Sequence, residues 1–334
     1  MSELEGRGAA WTEERGARNE RRGTREGGAV KGEGEAGGAP EAPSKQSPLL
    51  SARTARRTKA IGLNGIGLLV ALITLFPIVW MVSTAFKPSQ EIYSLTPRLL
   101  PAHPTLGNFS TVISGQASGI GSVFLFFRNS LTVTLATVLI ASLLSLMASV
   151  AVARFRFRFR ASFLIMLLIV QMIPGQALII ALFVDFNKLN LLQNLAGLII
   201  VYAAQALPVS IWMLRNFVAT VPKELEEAAA IDGATPVRIF WRILFPLVAP
   251  GLVATSIFSF ITAYNEFIVA LTFLGQAHQT YTLPIYVTYF FGRGGAEWGP
   301  IMAASTLYTI PVMIFFLIVR RRLVNGLVAG AVKG

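Results

Sequence analysis

Residues 226–246 read EEAAAIDGATPVRIFWRILFP, a charged and interrupted stretch in a chain that is otherwise mostly oil. Acids and alanines fill its first turns, Gly233 interrupts it, and a basic amphipathic run from Thr235 ends at Pro246. Just upstream, Thr220 is placed to cap a helix and Pro222 to occupy its first turn, with Gly233 as the stop. Thr235 and Pro236 restart a helix that carries Val237, Phe240, Trp241 and Leu244 at helical spacing. The pattern predicts a short helix, a glycine turn, and a second helix that runs on into an apolar segment. Leu225, Ala228, Ala229 and Ile231 suit the groove of a protein partner, and the acids suit its basic residues. The alternative is an interfacial helix lying on lipid. Such helices carry Lys and Arg on the polar face, whereas Glu224, Glu226, Glu227 and Asp232 dominate the first half here. Charge favours a protein partner.

Working outward, charged residues are only 14% of the 334, against about 25% in soluble domains. Apolar runs long enough to cross a bilayer occur at about 61–86, 124–153, 161–184, 195–214, 246–275 and 298–319. So many all-round apolar helices exclude a soluble core and predict an all-α, polytopic membrane protein with six transmembrane helices. Residues 1–60 are Gly-, Arg- and Glu-rich with little to bury, which predicts a disordered tail rather than a signal peptide. Glu is interleaved with its basic residues, so nucleic acid is not an expected partner. The chain has no cysteine, which excludes disulfides and thiol chemistry.

The arginines set orientation. Arg53, Arg56, Arg57 and Lys59 precede the first span, Arg154, Arg156, Arg158 and Arg160 fill the turn after the second, and Arg215, Lys223, Arg238 and Arg242 follow the fourth. Arg320, Arg321 and Arg322 follow the sixth, and every rich loop falls on one side of a six-span chain. Both termini and the opening stretch are therefore expected in the cytoplasm, with the chain in the cytoplasmic membrane among its lipids.

Glu227-Ala228-Ala229, three residues, Gly233, nine residues, Ile243, one residue, then Phe245-Pro246 resembles the EAA loop of ABC-importer permeases, with Phe245 where that pattern usually has Leu. AYNEFIVALTFL (263–274), TLPIY and EWGPIMAAS within 282–305, and the ending GLVAGAVKG (326–334) resemble the carbohydrate branch of that family, the maltose and oligosaccharide type. RNSLTVTLATVLIASLLSLMASVAVARFRF (128–157) fits it as well, so the resemblance covers roughly 61–334.

The resemblance implies a type I importer permease domain over 61–334, with a cytoplasmic coupling loop at 220–246. Its partners would be a second, homologous permease, two ATPase subunits and an extracytoplasmic solute-binding protein that delivers a sugar, with a di- or oligosaccharide expected. Glu227, Ala228, Ala229, Asp232, Gly233 and Pro246 would couple to the ATPase. The chain itself contains no G-x-x-x-x-G-K-[ST] loop. It is therefore expected to bind no cofactor, ATP and Mg being used by the partner, and to be no enzyme.

Polar groups within the apolar runs are the candidates for the substrate pathway, because unpaired polar groups in hydrocarbon are costly. Gln171 and Gln176 flank Pro174, Tyr202 and Gln205 precede Pro208, and Asn265-Glu266 lies in the fifth run. Amides, a carboxylate and ring faces suit a sugar. The glutamines could equally be interhelical hydrogen-bond glue, and Glu266 could snorkel to headgroups or pair with the second permease. His103 and His278, the two histidines, read as solvated loop residues, and no metal site is expected. Pro77, Pro174, Pro208, Pro250 and Pro311 are either kinks that serve as hinges or tolerated breaks. A permease for a polyol or sugar phosphate, a secondary transporter, or a receptor-like membrane subunit remain as alternatives. A secondary transporter would show broken helices in matched halves, which the hydropathy pattern does not display.

Overall fold

The structure, a computed structural model, describes the backbone of residues 48–115, 119–292 and 295–331 and the side chains of 61–115, 119–292 and 295–320. The chain divides into two units, Met1–Gly65 and Ile66–Gly334. In the first, the described stretch is helical from Pro48. Of the expected disordered tail, residues 1–60, the part up to 47 lies outside the described residues, and 48–60 are helical. Helix α1 runs Pro48–Ala85, because the Arg-rich stretch before residue 61 contains nothing that stops a helix after Pro48.

The second unit is helical. After α1 come the short helices α2 (Ser89–Ile92) and α3 (Gly107–Ser114), then α4 (Val123–Arg154), α5 (Arg160–Met172), α6 (Ile179–Lys188) and α7 (Leu195–Thr220). The knuckle contributes α8 (Glu224–Ile231) and α9 (Pro236–Ile239), and a π turn at Phe240–Leu244 leads into α10 (Phe245–Tyr264). The chain closes with α11 (Ile268–Leu274), α12 (Leu283–Thr288), a two-residue antiparallel hairpin at Phe291–Gly292 and Gly295–Ala296, and α13 (Trp298–Ala331). Five of these helical stretches are long and apolar enough to cross a membrane, and the bent pair 160–172 and 175–188 brings the number to six.

Two expected spans are broken. The run at 161–184 bends by 84° between α5 and Gly175, at Pro174, which has no N–H to continue the ladder. The run at 246–275 stops at Asn265 and resumes at Ile268. Both breaks lie inside runs that hydropathy alone reads as single spans. Helices α1, α7, α10 and α13 continue through Pro77, Pro208, Pro250 and Pro311. The fourth helix also extends to Thr220 rather than ending near 214, so Arg215 is helical and not in a loop.

Helix α4 is the axis of the bundle, packed on α7 and α10. Thr134, Thr137, Ala141, Ser145 and Ser149 are buried along it at three- and four-residue spacing. Small residues at that spacing let backbones approach without bulky side chains intervening. Hydroxyl pairs, Ser142 with Ser256 at 3.0 Å and Ser210 with Ser259 at 3.3 Å, join α4 to α10 and α7 to α10. The apolar core splits in two around this polar middle. A large cluster around Phe126, Tyr202, Phe273 and Tyr286 lies at one end, and a smaller one around Leu146, Leu214, Val218 and Leu244 lies at the knuckle end.

Candidate functional sites at the two ends of the bundle

The ends of α4 mark the two sites. Near its start, Asn129 donates to the carbonyls of Gln279 and Tyr281 at 2.8 and 2.9 Å. At its finish, Arg154 meets the knuckle.

In the knuckle, α8 ends in a glycine motif. Ala234 N donates to Ala229 O at 2.9 Å and Gly233 N to Ala230 O at 3.1 Å, with Gly233 at φ 78°, the paired bonds of a Schellman stop. Nothing lies within 4 Å of where a Cβ at Gly233 would sit, so glycine is needed there for its backbone conformation and not for space. Thr235 accepts from Arg238 N at 3.4 Å, and Pro236 opens α9. The expected cap at Thr220 is corrected. Thr220 ends α7 and donates to Phe217 O at 2.8 Å, while α8 starts at Glu224 behind Lys223 without a side-chain cap. A hydroxyl can bond back to its own helix as readily as forward.

The π turn joins α9 to α10, and the rings of Phe240, Trp241 and Phe245 pack edge-on or tilted along it, with centroids 5.0 to 6.3 Å apart. Ile231 is 87% exposed and Val237 68% exposed, and Trp241 and Leu225 are exposed as well. Glu227, Ala228 and Asp232 are exposed beside them, Ala229 is half-buried, and Pro246 is exposed at the start of α10. Glu226 instead turns inward to Arg154 at 2.7 Å, a pairing that the sequence reading missed.

At the other end, the break at Asn265-Glu266 is a hydrogen-bonded junction. Glu266 accepts from Tyr202 Oη at 2.6 Å, from Val269 N at 2.8 Å and from Ala270 N at 3.0 Å. Its carboxylate thus sits on the free N–H groups that open α11, where the helix end favours negative charge. Asn265 Oδ1 accepts a short bond from Tyr308 Oη. Tyr308 also donates to Tyr264 O at 3.0 Å, Tyr264 donates to Tyr308 O at 3.1 Å, and the two rings stack at 4.7 Å. Phe260 and Phe315 continue the stack at 3.9 Å.

Of the pathway candidates, the structure thus joins Tyr202 to Glu266. It places Gln205 beside the break in the third span, its Nε2 3.5 Å from where a Cβ on Gly175 would be. Gln171 and Gln176 are exposed on either side of that break. Tyr308 was missed because it sits in a strongly apolar run, although a phenol within such a run is itself a signal.

Loops cover this end. Tyr93 Oη donates to Ala296 O at 2.7 Å, clasping the first loop to the hairpin. Glu91 accepts from Ala102 N and His103 N, both at 2.9 Å, and His103 Nδ1 lies 3.0 Å away. The Ala102 N–H above all, then the His103 contacts, hold the Glu91 carboxyl below its ordinary pKa. His103 is thus paired with a carboxylate, and His278 packs edge-on against Tyr281 and Tyr289. Among the described residues no group of His, Asp and Glu could hold a metal ion.

Comparison with known proteins agrees with this geometry. The family model described as "Binding-protein-dependent transport system inner membrane component" matches residues 141–328, which include the knuckle and the Asn265-Glu266 junction. The diacetylchitobiose uptake system permease protein DasC of Streptomyces coelicolor is 40% identical over 259 residues, 78% of this chain and 92% of its own length. The trehalose/maltose transport system permease protein MalG of Thermococcus litoralis is 36% identical over 272 residues, 80% of this chain and 94% of its own. Among solved structures, a bacterial ABC transporter involved in import of the acidic polysaccharide alginate superposes with a TM-score of 0.65 at 20% identity, over 85% of this chain and 99% of that one. At that identity the likeness speaks to fold alone.

Proposed function

The chain belongs to the inner-membrane component family of binding-protein-dependent transport systems, transport components rather than enzymes, and from that premise we propose that it forms half of the pathway of an ATP-driven sugar importer. The two relatives quoted above are named for disaccharides, diacetylchitobiose and trehalose or maltose, which supports a di- or oligosaccharide as the solute. The second half of the pathway would be a homologous permease, with two ATPase subunits below and a soluble binding protein above, ATP and Mg being held by the ATPases. The arginine-rich loops support a cytoplasmic knuckle and cytoplasmic termini.

The observation that carries the reading is the knuckle. A short helix with a glycine stop presents Ile231 to solvent, and the segment after the stop presents Val237 and Trp241 and is continuous through a π turn with a membrane helix. Exposed apolar groups rimmed by acids fit a groove on a protein partner. Rigid continuity into α10 lets movement of that partner reach Asn265-Glu266, 20 residues of helix away. At the far end, Tyr202, Glu266, Asn265 and Tyr308 would form the polar wall that the sugar passes. The deciding experiment reconstitutes the chain with its partners and asks which member of a sugar panel, with its binding protein, stimulates ATP hydrolysis. Stimulation by a polyol or sugar phosphate alone would move the substrate assignment. Uptake driven by an ion gradient without ATP would overturn the importer reading.

A further inference from the structure

One guanidinium ties three helix ends together. Arg154 is the last residue of α4. Its Nη2 donates to Val221 O at 3.0 Å and lies 2.7 Å from Glu226 Oε1. Val221 directly follows α7, and Glu226 stands in the first turn of α8. The Arg154 side chain is 10% exposed and that of Glu226 22%, so water and salt screen the pair little. A cation also suits the C-terminal end of α4. The planar guanidinium presents several donors in a fixed fork that an ammonium lacks. Leu146, Val218 and Leu244 pack in the small core at this same end.

Helix α8 is joined by the chain to two membrane helices, to α7 through residues 221–223 and to α10 through α9 and the π turn. The Arg154 clasp adds a direct side-chain tie from α8 to the end of α4. A push on α8 reaches α7 and α10 along the chain; the clasp makes α4 follow at its own end as well. We infer that Arg154, with Glu226 as its partner, is the positioning residue that passes displacement of α8 to α4. This rests on the reading that α8 docks on the ATPase, yet neither residue needs to touch the ATPase.

The test uses the full complex in liposomes, with the sugar that stimulates it. Sugar transported per ATP hydrolysed is compared among wild type, Arg154→Gln, Arg154→Lys and Glu226→Gln. ATPase retention and basal hydrolysis are expected to persist, while sugar per ATP falls at least about fivefold in Arg154→Gln and Glu226→Gln, the lower range of a coupling free energy. Arg154→Lys, which keeps the charge without the fork, should lie between. Because the chain has no native cysteine, a single spin label at position 230 reports motion of α8 directly, and it should gain mobility in the same variants.

If Arg154 variants fail to assemble, Glu226→Gln carries the test alone, since it lies on α8 outside the bundle. Unchanged sugar per ATP in Glu226→Gln, with the ATPase retained, overturns the clasp. The docking premise is tested separately by Ile231→Asp: retention of the ATPase there would sink the premise and the clasp with it.

Discussion

The knuckle and the Asn265-Glu266 junction are both interruptions in helical structure, but they treat their side chains in opposite ways. At the junction every named polar group has a partner within the chain: Glu266 accepts three hydrogen bonds, and Asn265 is held by Tyr308. At the knuckle, Ile231, Val237 and Trp241 lie exposed, while Glu226 turns inward to Arg154. The contrast follows from solvent. Polar groups at membrane depth must be satisfied internally, whereas an apolar face in water is stable until a partner covers it. The junction is therefore satisfied within the chain, while the knuckle leaves apolar groups uncovered.

The sharpest way to break the comparison is at Gly233. A valine there must hold φ near 78°, which costs about 1–2 kcal/mol, more for a branched side chain. Sugar-stimulated turnover of Gly233→Val should fall more than about tenfold, one factor of ten per 1.4 kcal/mol, while the permease pair stays in the membrane. Wild-type turnover would show that the glycine stop does not aim the knuckle.

Glu266→Ala comes next. It frees Tyr202 and the first N–H groups of α11 at about 1–3 kcal/mol for each buried group left unpaired. Transport measured across a sugar panel should drop about tenfold or change its order of preference, with the complex still assembled. Unaltered kinetics would return Glu266 to a purely structural cap.

Glu227→Lys tests the interface half. It reverses a charge on the exposed face of α8, so ATPase retained after detergent extraction should fall severalfold, by roughly 1 kcal/mol for a rim charge. Retention equal to wild type would separate Glu227 from the contact.

The mildest expected effect sharpens the far end. Glu91, with its pKa lowered by the Ala102 and His103 N–H groups, steadies the first loop when ionised. That contribution is present above the ordinary carboxylate pKa and lost as pH falls through the lowered one. Amide exchange in 98–106 should therefore quicken only at acidic pH, and Glu91→Gln should remove that pH dependence. A loop with the same exchange at both pH values would show that the carboxylate does not hold it.

Much of this architecture is legible in one dimension. Apolar length dictates membrane helices because unpaired backbone cannot sit in hydrocarbon, and the spacing of Glu227, Gly233 and Pro246 marks the knuckle because helix stops and starts are local chemistry. The partnerships are another matter. Arg154 with Glu226, Tyr202 with Glu266 and Asn265 with Tyr308 stand 72, 64 and 43 positions apart, and no local rule relates residues so distant. Thr220 shows the same limit at short range, since the hydroxyl had a choice between the helix behind it and the one ahead, and packing chose. The breaks at Pro174 and Asn265 escaped the hydropathy pattern because apolar content does not record direction. Composition and short-range spacing determined which segments are apolar enough to enter the membrane and where the knuckle turns. Only the packing of the helices decided which polar groups meet, because an interhelical hydrogen bond forms where backbones approach closely, and that distance is set by elements far apart in the sequence.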